Sequence, residues 1–293
     1  MIARRDQVVL PDGRRLAYDE AGDPAGRPVL FFHGLAASRR VRHPDDGIAA
    51  ALGVRLLTID RPGIGDSDPL PRRRLLDWPA DVAAFASELG LDRFAVAGWS
   101  AGGPHALACG ALLGTRVTRV GLLSSAPPFH GPHSRTYLDP GWRRVRFLAG
   151  YAPRLLRRFF ERQAQRVRSD PERVLEDSMR DMPAPDRALL EQPSVRAVVL
   201  QSTVEAFAQG GAGVASDAIA VARPWGFGLE EVETEVVLWH GDADATWPPA
   251  AGRHLASRLP RCEATFLPDQ GHLALVAVWD ELLRRLSGDS GHA

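Results

Sequence analysis

Ser100 stands at the centre of Gly98-Trp99-Ser100-Ala101-Gly102, a Gly-x-Ser-x-Gly pattern in which a serine hydroxyl can act as a nucleophile. A serine hydroxyl is weak at neutral pH. It needs an imidazole to take its proton and a carboxylate to fix the tautomer of that imidazole and stabilise its charged form. Both residue types follow downstream: Asp242 and Asp244 in Trp239-His240-Gly241-Asp242-Ala243-Asp244-Ala245-Thr246-Trp247-Pro248, then Asp269 and His272 in Pro268-Asp269-Gln270-Gly271-His272. His33, His105 and His240 are further imidazoles. The pentapeptide alone also fits a glycine-rich packing turn with an idle serine, so the surrounding elements decide.

An apolar run at 94–97 precedes Ser100, and a small-residue, apolar stretch at 101–113 follows it. This is the strand and packed helix that a sharp nucleophile turn requires, and it aims a helix N-terminus at the reacting centre. Residues 7–10 and 14–19 flank Pro11-Asp12-Gly13 and predict an opening antiparallel hairpin. Continuous apolar runs at 29–32, 54–59, 94–97 and 117–123 predict strands buried on both faces, and 78–89 has helical spacing. The rhythm stops after Ser124-Ser125-Ala126-Pro127-Pro128. From 129 to 228 the chain shows helical patterns, many Arg and no strand, which predicts an inserted helical cap. Strands at 235–239 and 264–267 and helices at 250–259 and 273–286 then complete the sheet.

With 293 residues, 45% of them hydrophobic, the chain can bury a large core. Its 36 basic residues, all Arg, balance 36 acidic ones. No net field therefore favours nucleic acid or an anionic membrane, and the expected partner is a small molecule. Cys109 and Cys262 lack the spacing of a disulfide framework or a zinc site. No apolar run has the length of a membrane span, and the polar Met1-Ile2-Ala3-Arg4-Arg5-Asp6 start is unlike a signal peptide, so a soluble, cytoplasmic protein is expected.

The Ser100 pentapeptide, Phe31-Phe32-His33-Gly34, Asp60-Arg61-Pro62-Gly63-Ile64-Gly65-Asp66-Ser67 and the Asp244 and His272 loops together resemble the α/β-hydrolase fold, in its esterase and iminopeptidase-like group. The resemblance spans roughly 5–128 and 229–286 and fades in the cap. It implies a mostly parallel eight-stranded sheet flanked by helices, with a catalytic domain at 1–128 and 229–293 and a cap at 129–228. It assigns Ser100 as nucleophile, Asp244 as acid, with Pro248 four residues beyond it, and His272 as base. Asp242 is then a turn or capping residue, and His105 and His240 are structural. The backbone amides of Leu35 and Ala101 are the expected oxyanion donors. His33 is expected to orient its loop and, with Trp99, Trp142, Phe147 and Trp247, to border the substrate pocket. His33-Gly34-Leu35-Ala36 lacks the glycine triplet of esterases that open to tertiary alcohols.

The implied activity is hydrolysis of a carboxylic ester, lactone or thioester through an acyl-enzyme on Ser100. An amide or imino-peptide hydrolase shares the same triad, and a biosynthetic cyclase or ligand-binding protein shares the scaffold. Haloalkane and epoxide hydrolysis are disfavoured, because similar enzymes place Asp where Ser100 stands. No metal or organic cofactor is called for, and neither a P-loop nor a dinucleotide fingerprint occurs.

Overall fold

A computed structural model describes residues 4–288, so the ends of the expected catalytic domain, 1–3 and 289–293, lie outside the described residues. The opening hairpin pairs β1 (Arg4–Val9) with β2 (Arg15–Gly22), and Gly13 turns the chain with φ of +84°. Next come β3 (Arg27–Phe32), a short helix α1 (Gly47–Ala51) that the sequence patterns do not announce, β4 (Val54–Ile59) and α2 (Trp78–Glu88). Beyond them lie β5 (Phe94–Trp99), α3 (Gly102–Leu112) and β6 (Val117–Leu123).

Seven helices then intervene: α4 (Ser134–Tyr137), α5 (Pro140–Tyr151), α6 (Pro153–Ser169), α7 (Pro171–Met179), α8 (Ala184–Glu191), α9 (Pro193–Ala206) and α10 (Ala212–Ala222). Several start on a proline, whose fixed φ suits the first helical turn. The Asp139 and Asp170 side chains cap α5 and α7 by accepting from Trp142 N and Arg173 N. The chain closes with β7 (Val236–Gly241), α11 (Pro249–Arg258), β8 (Cys262–Leu267) and α12 (Trp279–Ser287).

The eight strands form one sheet in the order β1-β2-β4-β3-β5-β6-β7-β8, antiparallel at β1, β2 and β4 and parallel from β4 to β8. Successive side chains alternate between its faces. Leu30, Phe32, Val96 and Leu122 pack with Trp78, Phe85 and Leu107 on one side; Val29, Phe31, Ala95 and Ala97 pack with Trp279, Leu282 and Leu283 on the other. β3 lies between β4 and β5, so the chain leaves β3 in one direction and returns past it in the other. Such a reversal parts the loops at the strands' carboxyl ends and opens a crevice there.

One sequence expectation changes. The helix foreseen over 273–286 is a 3-10 turn at Ala274–Val276 followed by α12, and the amide of Leu273 ahead of the turn donates to Asp186 on α8. On α5 and α6 Phe160 is buried, whereas Phe147, Tyr151, Leu155 and Phe159 are exposed. Among the described residues no helix is long and apolar enough to cross a membrane.

Candidate active site

Ser100 occupies the tight turn between β5 and α3 with φ of +54°, a left-handed conformation that costs a non-glycine residue about 1–3 kcal/mol. The turn is held by Ser100 N donating to Leu123 O (2.9 Å) and by Ala126 N donating to Ser100 O (3.0 Å). Its glycines are there for space. A Cβ on Gly98 would stand 2.2 Å from the Gly102 carbonyl oxygen, and one on Gly102 would stand 2.0 Å from Phe32 O, so the turn and the end of β3 touch backbone to backbone.

Asp244 sits in the loop after β7. Its Oδ1 accepts from the amides of Thr246 (2.8 Å) and Trp247 (2.9 Å), while Oδ2 lies 2.9 Å from His272 Nδ1. Because an ionised carboxylate only accepts, Nδ1 carries a proton, and in the neutral ring Nε2 is then the acceptor. Burial pushes the Asp244 carboxyl up, but the charge and hydrogen bond of His272, together with His240 and the Trp247 amide, hold it below its ordinary value. Burial pulls the His272 imidazole down, yet Asp244, by charge and hydrogen bond, and the charge of Asp186 outweigh it and raise His272 above 6.5. Asp242 faces away from this pair and accepts from Asp269 N. His240 is fully buried against the Trp247 carbonyl (2.7 Å), and His105 against the Ala101 carbonyl (2.8 Å).

A residue that sequence patterns did not single out fixes the histidine loop. Asp186, 2% exposed at the start of α8, accepts from both His272 N (2.9 Å) and Leu273 N (2.8 Å). It comes so close that a Cβ on Gly271 would stand 2.3 Å from its Oδ2. In sequence it looks like an ordinary acidic residue in a first helical turn, and no local signal marks a contact 86 residues away. Trp99 supports the same loop, donating from Nε1 to His272 O (2.9 Å) with its ring 5.2 Å from the imidazole.

The Ser100 hydroxyl is 6% exposed and accepts from the indole Nε1 of Trp247 at 3.3 Å; among the described residues it makes no hydrogen bond to His272. Trp247 is in turn stacked on Trp142, with ring centroids 4.4 Å apart. The Leu35 and Ala101 amides donate no hydrogen bond among the described residues. Gly34 brings the first of these loops against Ser100: a Cβ there would meet the Trp99 ring at 2.9 Å and Ser100 Cβ at 3.3 Å.

Behind the loop, Arg61 donates to the carbonyls of His33 (2.6 Å) and Gly34 (3.1 Å) and pairs with Asp217 of α10 (2.6 Å), which Arg73 also holds. Burial pushes the Asp217 carboxyl up, but the two guanidiniums reverse this and keep it ionised. The same helical insertion grips the loops after β3 and β4 elsewhere: Ser202 Oγ accepts from Ser38 N, Glu205 pairs with Arg39 and Arg40, and Gln209 donates to Gly65 O.

Two adjoining cavities open beside this centre. One, of about 270 Å³, is largely apolar and runs from Leu35 and Trp99 to Phe160, Leu175 and Phe207. The other, of about 450 Å³, reaches His272 and is bordered by Trp142, Asp139, Asp181 and Thr246. Trp99, Ser178, Met182 and Val199 line both. Thus Trp99 and Trp142 stand on the cavity walls, and Trp247 stands at Ser100. Two expected pocket residues do not. His33 is 1% exposed, held by Gly34 O and Arg61 N, and kept neutral by burial and the Arg61 charge, so it orients the loop only. Phe147 lies on the outer surface of α5, 59% exposed, against Tyr151.

The alpha/beta hydrolase fold family profile matches residues 27–276. Proline iminopeptidase from Xylella fastidiosa is 34% identical over 110 residues, a match covering 34% of this chain and 33% of that protein, so the chain spans about a third of the length of that curated relative. The enol-lactonase from Burkholderia xenovorans superposes with a TM-score of 0.70 at 20% identity, covering 97% of this chain and 98% of that one. A thermophilic esterase from Thermogutta terrifontis does so with a TM-score of 0.70 at 22% identity, covering 97% of each chain. At these identities the structural likeness concerns the fold.

Proposed function

Because this chain belongs to the α/β-hydrolase fold family, we propose that it is a serine hydrolase cleaving the ester, lactone or thioester bond of a small acyl substrate through an acyl-enzyme on Ser100. The observation that carries this reading is the strained, nearly buried Ser100, whose chain neighbour Trp99 lines the same cavity as His272, with His272 Nδ1 locked on Asp244. On this reading the helical insertion at 129–228 is the cap that roofs the reacting centre.

In the reaction, the Ser100 hydroxyl exchanges its contact with Trp247 for one with His272 Nε2 and attacks the acyl carbon as the imidazole takes its proton. Asp244 stabilises the imidazolium through the Nδ1 hydrogen bond. The Leu35 and Ala101 amides receive the oxyanion, each worth roughly 3 kcal/mol of barrier. His272 then protonates the leaving group, and a water activated by the same imidazole releases the acyl group. The apolar cavity beside Leu35 suits the acyl chain, and the cavity beside His272 suits the leaving group.

Amide or imino-peptide hydrolysis is the second reading. Asp139 and Asp181 border the His272 cavity and would suit a cationic substrate amine. A panel of p-nitrophenyl esters from acetate to octanoate, set beside the corresponding thioesters and proline p-nitroanilide, separates the two. Esters turned over with the higher kcat/KM are expected. Turnover of the anilide alone would reverse the order.

A further inference from the structure

Where the start of α6 and α10 of the insertion meet the loop before α2 lies a third cavity, of about 340 Å³, which shares no lining residue with the two beside the Ser100 site. Arg72, Arg73, Arg154, Arg157 and Arg223 line it, with only Pro153, Ser216 and Ile219 beside them and no carboxylate. Among the described residues Arg72, Arg154 and Arg157 form no ion pair, and the Arg223 guanidinium donates only to the Ala149 carbonyl. Arg73 is 5% exposed; its Nη2 holds Asp217, a carboxylate shared with Arg61, and its buried Nε has no partner. Collecting guanidiniums in one recess is costly through like-charge repulsion, and leaving a buried Nε unpaired adds a desolvation cost.

The placement of Arg154 and Arg157 compounds this. They lie in the first turns of α6, a 17-residue helix with no acidic residue in its first turn and no side chain capping its N-terminus. Cations at the positive end of a helix dipole are unfavourable unless an anion joins them. Every one of these costs turns into a gain if a compact oxyanion with several acceptor oxygens occupies the recess.

We propose that this cavity is a binding site for a phosphate-type group, held by forked hydrogen bonds from Arg73, Arg154, Arg157 and Arg223. The group is either free in solution, as a phosphate or phosphate monoester, or the headgroup of a phospholipid. The chemistry is the same in both cases, because guanidinium forks match phosphate oxygens. The exposed Tyr151 and Leu155 next to the cavity's α6 edge make the second source a real arm of the test.

The experiment is calorimetric titration of the full chain with inorganic phosphate, against chloride at matched ionic strength, alongside co-sedimentation with vesicles of phosphatidylglycerol or of phosphatidylcholine alone. Saturable phosphate binding, or binding to the phosphatidylglycerol vesicles only, is expected. Either should weaken about tenfold or more in Arg154→Ala/Arg157→Ala. The charge-matched control Arg158→Ala/Arg162→Ala, on the same helix but outside the cavity, should bind as the native chain does. No saturable binding in either arm, or equal weakening in both double variants, would overturn the site and leave only diffuse attraction to a basic surface. Ser100→Ala should leave phosphate binding unchanged, so the result stands apart from the hydrolase reading; loss of binding there would place the anion in the catalytic cavity and refute the proposal.

Discussion

Asp186 makes its contribution to the site without facing the reacting atoms. Its carboxylate takes two backbone amides at His272 and Leu273, and its charge helps raise the imidazole. It is therefore a positioning residue, and its removal has a signature of its own. On the proposed reading His272 is the base and must be neutral, so kcat/KM is expected to rise with pH through the His272 pKa, which Asp244 and Asp186 hold above 6.5. Asp186→Asn removes one source of that upward shift and one acceptor. The acid limb should move to lower pH, and kcat/KM at its plateau should fall roughly ten- to a hundred-fold as the loop loosens. A fall in activity with an unmoved acid limb, read from the pH–rate profile, would show that Asp186 holds the loop without acting on the imidazole through its charge.

At the scale of elements, the turn after β5 and the end of β3 are in backbone contact, and that contact sets Ser100 against the Leu35 loop. Gly102→Ala would put a methyl group 2.0 Å from Phe32 O, where no flexible side chain can yield. Melting experiments should show a loss of about 1–3 kcal/mol, with a larger proportional loss of turnover. Gly150→Ala near the end of α5 is the contrast: nothing lies within 4 Å of its Cβ position, and a gain of about 0.5–1 kcal/mol is expected. A neutral Gly102→Ala would contradict the close approach.

These local elements were largely legible in the sequence. Continuous runs such as 54–59 and 117–123 became strands with those very bounds, because burial on both faces writes itself into composition. The strand-to-helix context of Ser100 and the Asp244–His272 pairing followed from spacing and family likeness. The contact that holds the His272 loop was not legible, since its carboxylate, Asp186, lies on a distant helix.

The molecule as a whole is where sequence patterns lost their hold. Balanced formal charge concealed a recess lined by five arginines, and helical periodicity could not tell that Phe147 and Tyr151 face outward while Phe160 faces in. Both depend on how the helical insertion seats on the sheet, through pairs such as Asp217 with Arg61 that link residues 156 apart. The same seating shapes the two cavities. Val174 borders only the apolar one, so Val174→Phe should narrow it: KM for octanoate esters is expected to rise about tenfold while acetate turnover changes little. Equal effects on both chain lengths would move the acyl group out of that cavity.

All of this depends on Ser100 being the nucleophile, and covalent labelling tests that without knowledge of the substrate. Treatment with a fluorophosphonate, followed by intact-mass and peptide analysis, should give one adduct located on Ser100 and none in Ser100→Ala. A native chain that hydrolyses esters yet takes no label, or an adduct that persists in Ser100→Ala, would contradict the assignment.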